Sequence, residues 1–179
     1  MLPRRREEFL KLLKLKNPSA AFVEAKDLGI LKHIAPILDK ALDNNEFILR
    51  LREKPESLNH KSTTQLFSFI IWAYYRSQVN ADPNAKCRAK NLLEDETLKS
   101  LMRDELGMFN YEQSICCKAL QQQAELCEIA NLPIDKQKPL VKKSCFPTAM
   151  MYARLDVSLL AKEFTTLQKY IVNLSLIHI

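Results

Sequence analysis

Apolar residues recur along most of this chain at the three-to-four spacing of an α-helix, and no stretch alternates convincingly with the period of two that marks a strand. Phe9, Leu12, Leu13 and Lys16 fall at i, i+3, i+4 and i+7, and Pro3 suits a first helical position, so a helix is predicted over about 3–16. Asn17-Pro18 stops it and starts the next, with Asn17 as cap and Pro18 as first residue. Ala21, Phe22, Ala25 and Leu28 then line one face. Gly29 stands where a left-handed residue closes a helix, followed by Ile30 as the apolar partner of that motif. A third helix is expected over about 31–42, with Pro36 permitting a break or kink, and a fourth over about 45–54. A polar connection over 55–61 leads, through Ser62 or Thr63 as cap, into the run from Leu66 to Tyr75. That run is apolar nearly all round, which predicts a central, buried helix with Trp72 inside.

The second half reads the same way. Asp82-Pro83 is another cap-plus-proline start. Glu94, Asp95 and Glu96 set three acids at the head of a helix ending near Gly107, the favourable sense for the helix dipole. Asn110 with Gln113 resembles a capping box opening a helix over about 111–129. A basic loop is expected over 133–144. Pro147 opens a short helix to Arg154, and Asp156 or Ser158 opens a last one striped by Val157, Leu160, Phe164, Leu167 and Ile171. The expected fold is all-α, an irregular array of about eight or nine helices with no internal repeat.

Length and composition narrow the function. The chain has 179 residues, room for one domain or two small ones. Its 2 glycines exclude a Gly-rich phosphate loop and a dinucleotide fingerprint. No apolar run approaches the roughly 18 residues of a membrane span, and the N-terminus lacks the apolar core of a signal peptide. Cys87, Cys116, Cys117, Cys127 and Cys145 are odd in number, include an adjacent pair and form no CxxC, so they read as buried thiols of a reduced, cytoplasmic protein rather than a zinc site.

Catalytic chemistry is sparse. His33, among Ile30, Ile34 and Ile37, reads as a satisfied, partly buried histidine, and His60 as solvated. Asp39 and Asp43 share a helix side at i, i+4 and could hold a metal, but read as a solvated face. Cys116 and Cys117 have no histidine nearby in sequence and read as core thiols. No catalytic residue, metal or cofactor is expected within this chain.

Charge is the strongest remaining signal. The net charge is +6, and it is concentrated. Arg4, Arg5, Arg6, Lys11, Lys14 and Lys16 place 6 cations in the first 16 residues against Glu7 and Glu8. Lys136, Lys138, Lys142 and Lys143 form a second cluster around Pro139. Such groups neutralise phosphates, and arginine adds a bidentate fork.

The ordered series Arg4-Arg5-Arg6-Glu7-Glu8-Phe9, then Pro18-Ser19-Ala20-Ala21-Phe22, then Leu28-Gly29-Ile30-Leu31 and Ile34-Ala35-Pro36-Ile37-Leu38 resembles the helical segment that follows the catalytic head of bacterial poly(A) polymerases and tRNA CCA-adding nucleotidyltransferases. The family pattern is an Arg-rich helix of form RIxxE(L/F), then AL..L.E.GLL..ILPEL. Arg4 and Glu8 match its Arg and Glu, whereas Arg5 stands where Ile is usual and Pro3 where Glu is usual. The likeness is fair over residues 1–50 and weaker around Leu101–Gly107 and Phe146–Met151.

The resemblance implies a neck-like, RNA-binding segment over 1–60 and a helical body over 61–173, with all the clustered cations, Arg4 included, on RNA and Arg4 with Glu8 also near the nucleotide. It implies tRNA or other RNA 3′ ends as partners. Magnesium and ATP or CTP would belong to a catalytic head in cis, upstream, without which the region does not polymerise. The alternatives are an all-helical protein-interaction module whose basic face is only solvated and, more weakly, a small enzyme using Cys116 or Cys117. Finally, Leu174–Ile179 back-translates in frame to CTG-TCT-CTT-ATA-CAC-ATC, which resembles a transposon end used in sequencing libraries. The natural protein is therefore expected to continue beyond about Asn173, with Met1 an internal methionine.

Overall fold

Asn17 shows how the local sequence dictates the helices. Its side-chain oxygen accepts the Ala20 N–H, and Pro18, which has no N–H to satisfy, begins the next helix. The computed structural model describes residues 2–78, 87–127 and 133–156, and within them the fold is all-α. Eleven α-helices form in these residues: α1 (Leu2–Lys14), α2 (Pro18–Asp27), α3 (Ile30–Ile34), α4 (Pro36–Ala41), α5 (Asn45–Arg52), α6 (Thr63–Gln78), α7 (Ala89–Glu94), α8 (Glu96–Ser100), α9 (Asn110–Cys127), α10 (Ile134–Val141) and α11 (Phe146–Leu155). A 3-10 turn spans Glu56–His60, and a π-helical turn, Leu101–Glu105, continues α8. No strand occurs among the described residues.

The described residues divide into two compact units: residues 2–78 and 90–114 form the first, and residues 87–89 with those after Ser114, inside α9, form the second. In the first, α6 is the core helix: every residue from Leu66 to Ala73 is buried and Trp72 has no exposure. It packs on α1 and α5, while α2 packs on α1, α3 and α5. Phe9 stacks on Phe22 at 6.1 Å and Phe69 on Trp72 at 6.0 Å, so rings from α1, α2 and α6 fill this core. In the second unit Cys116, Cys117, Leu120 and Leu126 of α9 are buried, as are Leu140, Phe146, Met150 and Tyr152. Two buried glutamines tie α9 to its neighbours: Gln122 Nε2 donates to the Leu140 carbonyl and Gln123 Nε2 to that of Ala149.

Several local expectations need correction. Pro36 does break the expected third helix, into α3 and α4, but the first piece is short. Because α3 has only 5 residues, it buries Leu31 alone; Ile30, Ile34 and His33 are exposed, so His33 is not a core histidine. Leu28, in the turn before it, is 68% exposed. The connection over 55–61 holds the 3-10 turn, which buries Leu58. The start of α9 is capped through Glu112, whose carboxylate accepts the Phe109 N–H at 2.8 Å, while the Gln113 amide donates to the Met108 carbonyl; Asn110 and Gln113 form no capping box. The basic segment after Pro133 is the helix α10, not a loop, with Pro139 inside it. The expected start at Asp82-Pro83, the last helix and the segment Leu174–Ile179 lie outside the described residues.

Candidate nucleic-acid interface

Helix α1 carries the first cationic cluster, and its three consecutive arginines diverge because successive residues point about 100° apart around a helix. Arg6 lies on the side of Phe9 and Leu13, which are buried. Its guanidinium makes a bidentate pair with Glu112, both N···O distances 2.8 Å, and donates to the Gly107 carbonyl at 2.9 Å. It also lies over the Phe67 and Phe109 rings, at 4.7 and 4.5 Å from their centroids. The Glu112 carboxylate has no exposure, so this is a largely desolvated, bidentate ion pair. Arg5 is half-buried and donates to the Ile34 carbonyl at the end of α3. Arg4 is exposed, with no hydrogen-bond partner among the described residues.

Lys11 and Lys14 are exposed, as is Lys16 just past the helix end. Lys11 donates to Glu8 at 2.9 Å, and that bond and charge hold the Glu8 carboxyl below its ordinary value. Arg4, Lys11 and Lys14 thus form an outward stripe, interleaved with Glu7 and Glu8. Arg5 and Arg6 are instead engaged with the protein.

Two charged side chains, neither evident from the sequence, set α1 and its neighbours in place. Lys54, buried, donates to the Leu13 and Leu15 carbonyls at 2.8 and 2.7 Å and to the Asn59 side chain, so an ammonium closes the C-terminal end of α1. Burial lowers its proton affinity, opposed by the charge of Glu56. Glu105 accepts the Ile37 and Leu38 N–H groups at 2.7 and 3.1 Å, capping α4, which has no side-chain cap of its own. Burial pushes the Glu105 carboxyl above its ordinary value; the two N–H groups and Arg5 pull it down without cancelling the rise.

Between α1 and α3 lies a groove of about 710 Å³, lined by Leu12, Ile30 and Ile34 and rimmed by Arg4, Arg5 and Glu8. Arg4 and Glu8, the pair expected near a nucleotide, therefore share one groove wall. The second cluster belongs to the other unit. Lys136 and Lys142 are exposed, Lys143 pairs with Glu125 at 3.0 Å, and Lys138 lies on α10. Asp43 pairs with Lys26, whose ammonium also donates to the Asp39 carbonyl. Among the described residues no group of three His, Cys, Asp or Glu side chains is placed to hold a metal. Cys116 and Cys117 are thiols inside α9 with no exposure. No described helix is long and apolar enough to cross a membrane.

Residues 2–42 match the family described as the probable RNA and SrmB-binding site of polymerase A. The match takes in α1 to α4 and covers less than a quarter of the chain. No curated protein and no solved structure matches the chain. Residues 2–42 are thus similar to a probable RNA-binding region of poly(A) polymerases.

Proposed function

We propose that this chain is the RNA-binding helical portion of a template-independent RNA nucleotidyltransferase, acting in polyadenylation or tRNA CCA addition and not catalytic alone. One observation carries this function: the segment related to a polymerase RNA-binding region presents Arg4, Lys11 and Lys14 to solvent on one helix. Phosphate contacts of this kind position RNA without reading its sequence. Catalysis, with its magnesium and ATP or CTP, would reside in a head domain joined in cis, and Arg4 with Glu8 would face the nucleotide. Lys136, Lys138, Lys142 and Lys143, in the other unit, would make phosphate contacts of their own. The setting would be cytoplasmic.

The test is binding of tRNA and of an A-rich RNA at several salt concentrations, comparing the native chain with the variant carrying Arg4→Gln, Lys11→Gln and Lys14→Gln. Each lost contact flattens the slope of log K against log salt by about 0.7 on a single strand, so a fall of about two is expected, similar for both RNAs. An unchanged slope and affinity would remove the proposed function. One observation favours a second reading, a protein-interaction surface: Ile30 and Ile34 leave apolar surface exposed in the α1–α3 groove. Substituting both by Ser would then abolish binding to a protein partner and leave RNA affinity intact.

A further inference from the structure

Phe109 and Tyr111 are the aromatic residues among those described whose rings stand well out in solvent, at 55% and 57% exposure. They stack on each other with centroids 6.0 Å apart and planes 17° from parallel. This exposed pair is held from beneath. The Phe109 N–H is bonded to Glu112, and the Arg6 guanidinium, itself fixed by Glu112 and Gly107, lies 4.5 Å from the Phe109 centroid. With Phe109 held by Arg6 and Glu112 and Tyr111 stacked on it, the pair offers a flat apolar face that is already partly ordered.

We propose that the Phe109–Tyr111 pair is a stacking platform for unpaired bases of single-stranded RNA; this rests on the proposal that the chain binds RNA. A general rule and two observations converge on that ligand. Every nucleobase has a π-face, and exposed aromatic rings beside cations are what single-strand binders combine. The cation that fixes the platform comes from α1, the helix whose Arg4, Lys11 and Lys14 project outward. Arg103, exposed in the same unit, is forked onto Asp104, and the charge of Arg5 also reaches Asp104, so this one acid is offset by two arginines. Phosphates would engage the cations while a base lies on Tyr111. A duplex, with its bases already stacked on one another, gains nothing from the rings.

The variant Tyr111→Ala tests this cleanly, because Tyr111 is exposed and its loss leaves the Arg6–Glu112 pair intact. Anisotropy of a labelled A-rich 12-mer, single-stranded and annealed to its complement, gives the two affinities, with circular dichroism as the check on folding. The single-strand affinity is expected to fall about fivefold or more, the duplex affinity to stay, and the salt slope to stay, since stacking releases no counterions. Tyr111→Phe is expected to bind like the native chain. If the native chain binds single strands and Tyr111→Ala binds them equally well, the platform is refuted alone. If the native chain binds neither RNA, the proposed function falls with it.

Discussion

Arg4, Arg5 and Arg6 are chemically identical neighbours with different work to do. Arg6→Ala would strand the buried Glu112 carboxylate, and a loss of about 3–5 kcal/mol is expected in urea unfolding. Arg6→Lys should recover only part of it, since an ammonium cannot span both carboxylate oxygens or lie flat on the two rings. Arg4→Gln should stay within about 0.5 kcal/mol of the native chain, because the side chain stands in water. Lys54→Met is expected to cost about 2–3 kcal/mol, through the loss of charged hydrogen bonds to three acceptors. Gly29→Ala should cost about 1–2 kcal/mol from backbone strain alone: Gly29 has φ 70°, and an added Cβ would meet nothing within 4 Å. These residues also mark what a sequence reader can see. Gly29 is legible because its cause is local, a helix end that needs a left-handed residue. Arg6 is not, because the glutamate that claims it is 106 residues away, and six clustered cations look alike until the fold sorts them.

At the scale of elements, α4 depends on another element for its cap. Glu105→Ala removes the acceptor for two N–H groups, for an expected loss of about 1–2 kcal/mol in thermal unfolding. The pH dependence follows from the raised Glu105 carboxyl. The folded state holds that proton more tightly than the unfolded chain does. Its contribution is therefore fully present below the unfolded value, about pH 4, and is lost as pH rises through the folded value. Against the non-titrating Glu105→Gln, the native chain's relative stability should decline as pH is raised above about 4; a difference that grows with pH would refute this. Helices with strong periodic signals were readable: α6 from its all-round apolar run, α2 from Asn17 and Pro18. The α10 helix was not, since clustered lysines about Pro139 carry no apolar stripe to distinguish a short helix from a loop. Nor was the exposure of α3, where Ile30 and Ile34 have the right composition for a core but sit on a helix too short to bury them.

At the scale of the whole molecule, the Arg6–Glu112 contact joins the first helix to a residue near the middle of the chain. A contact of that separation closes a long loop, which carries an entropic cost that grows with loop length. During synthesis from the N-terminus, Arg6 must therefore wait: α1 can coil as soon as it emerges, but its buried counterion arrives only once residue 112 has been made. Until then the nascent chain displays Arg6 together with Arg4, a more basic segment than the finished protein shows. A chain cut after Asn110 should accordingly keep helical signal yet leave α1 undocked, with proteolysis near Arg6 that the complete chain resists.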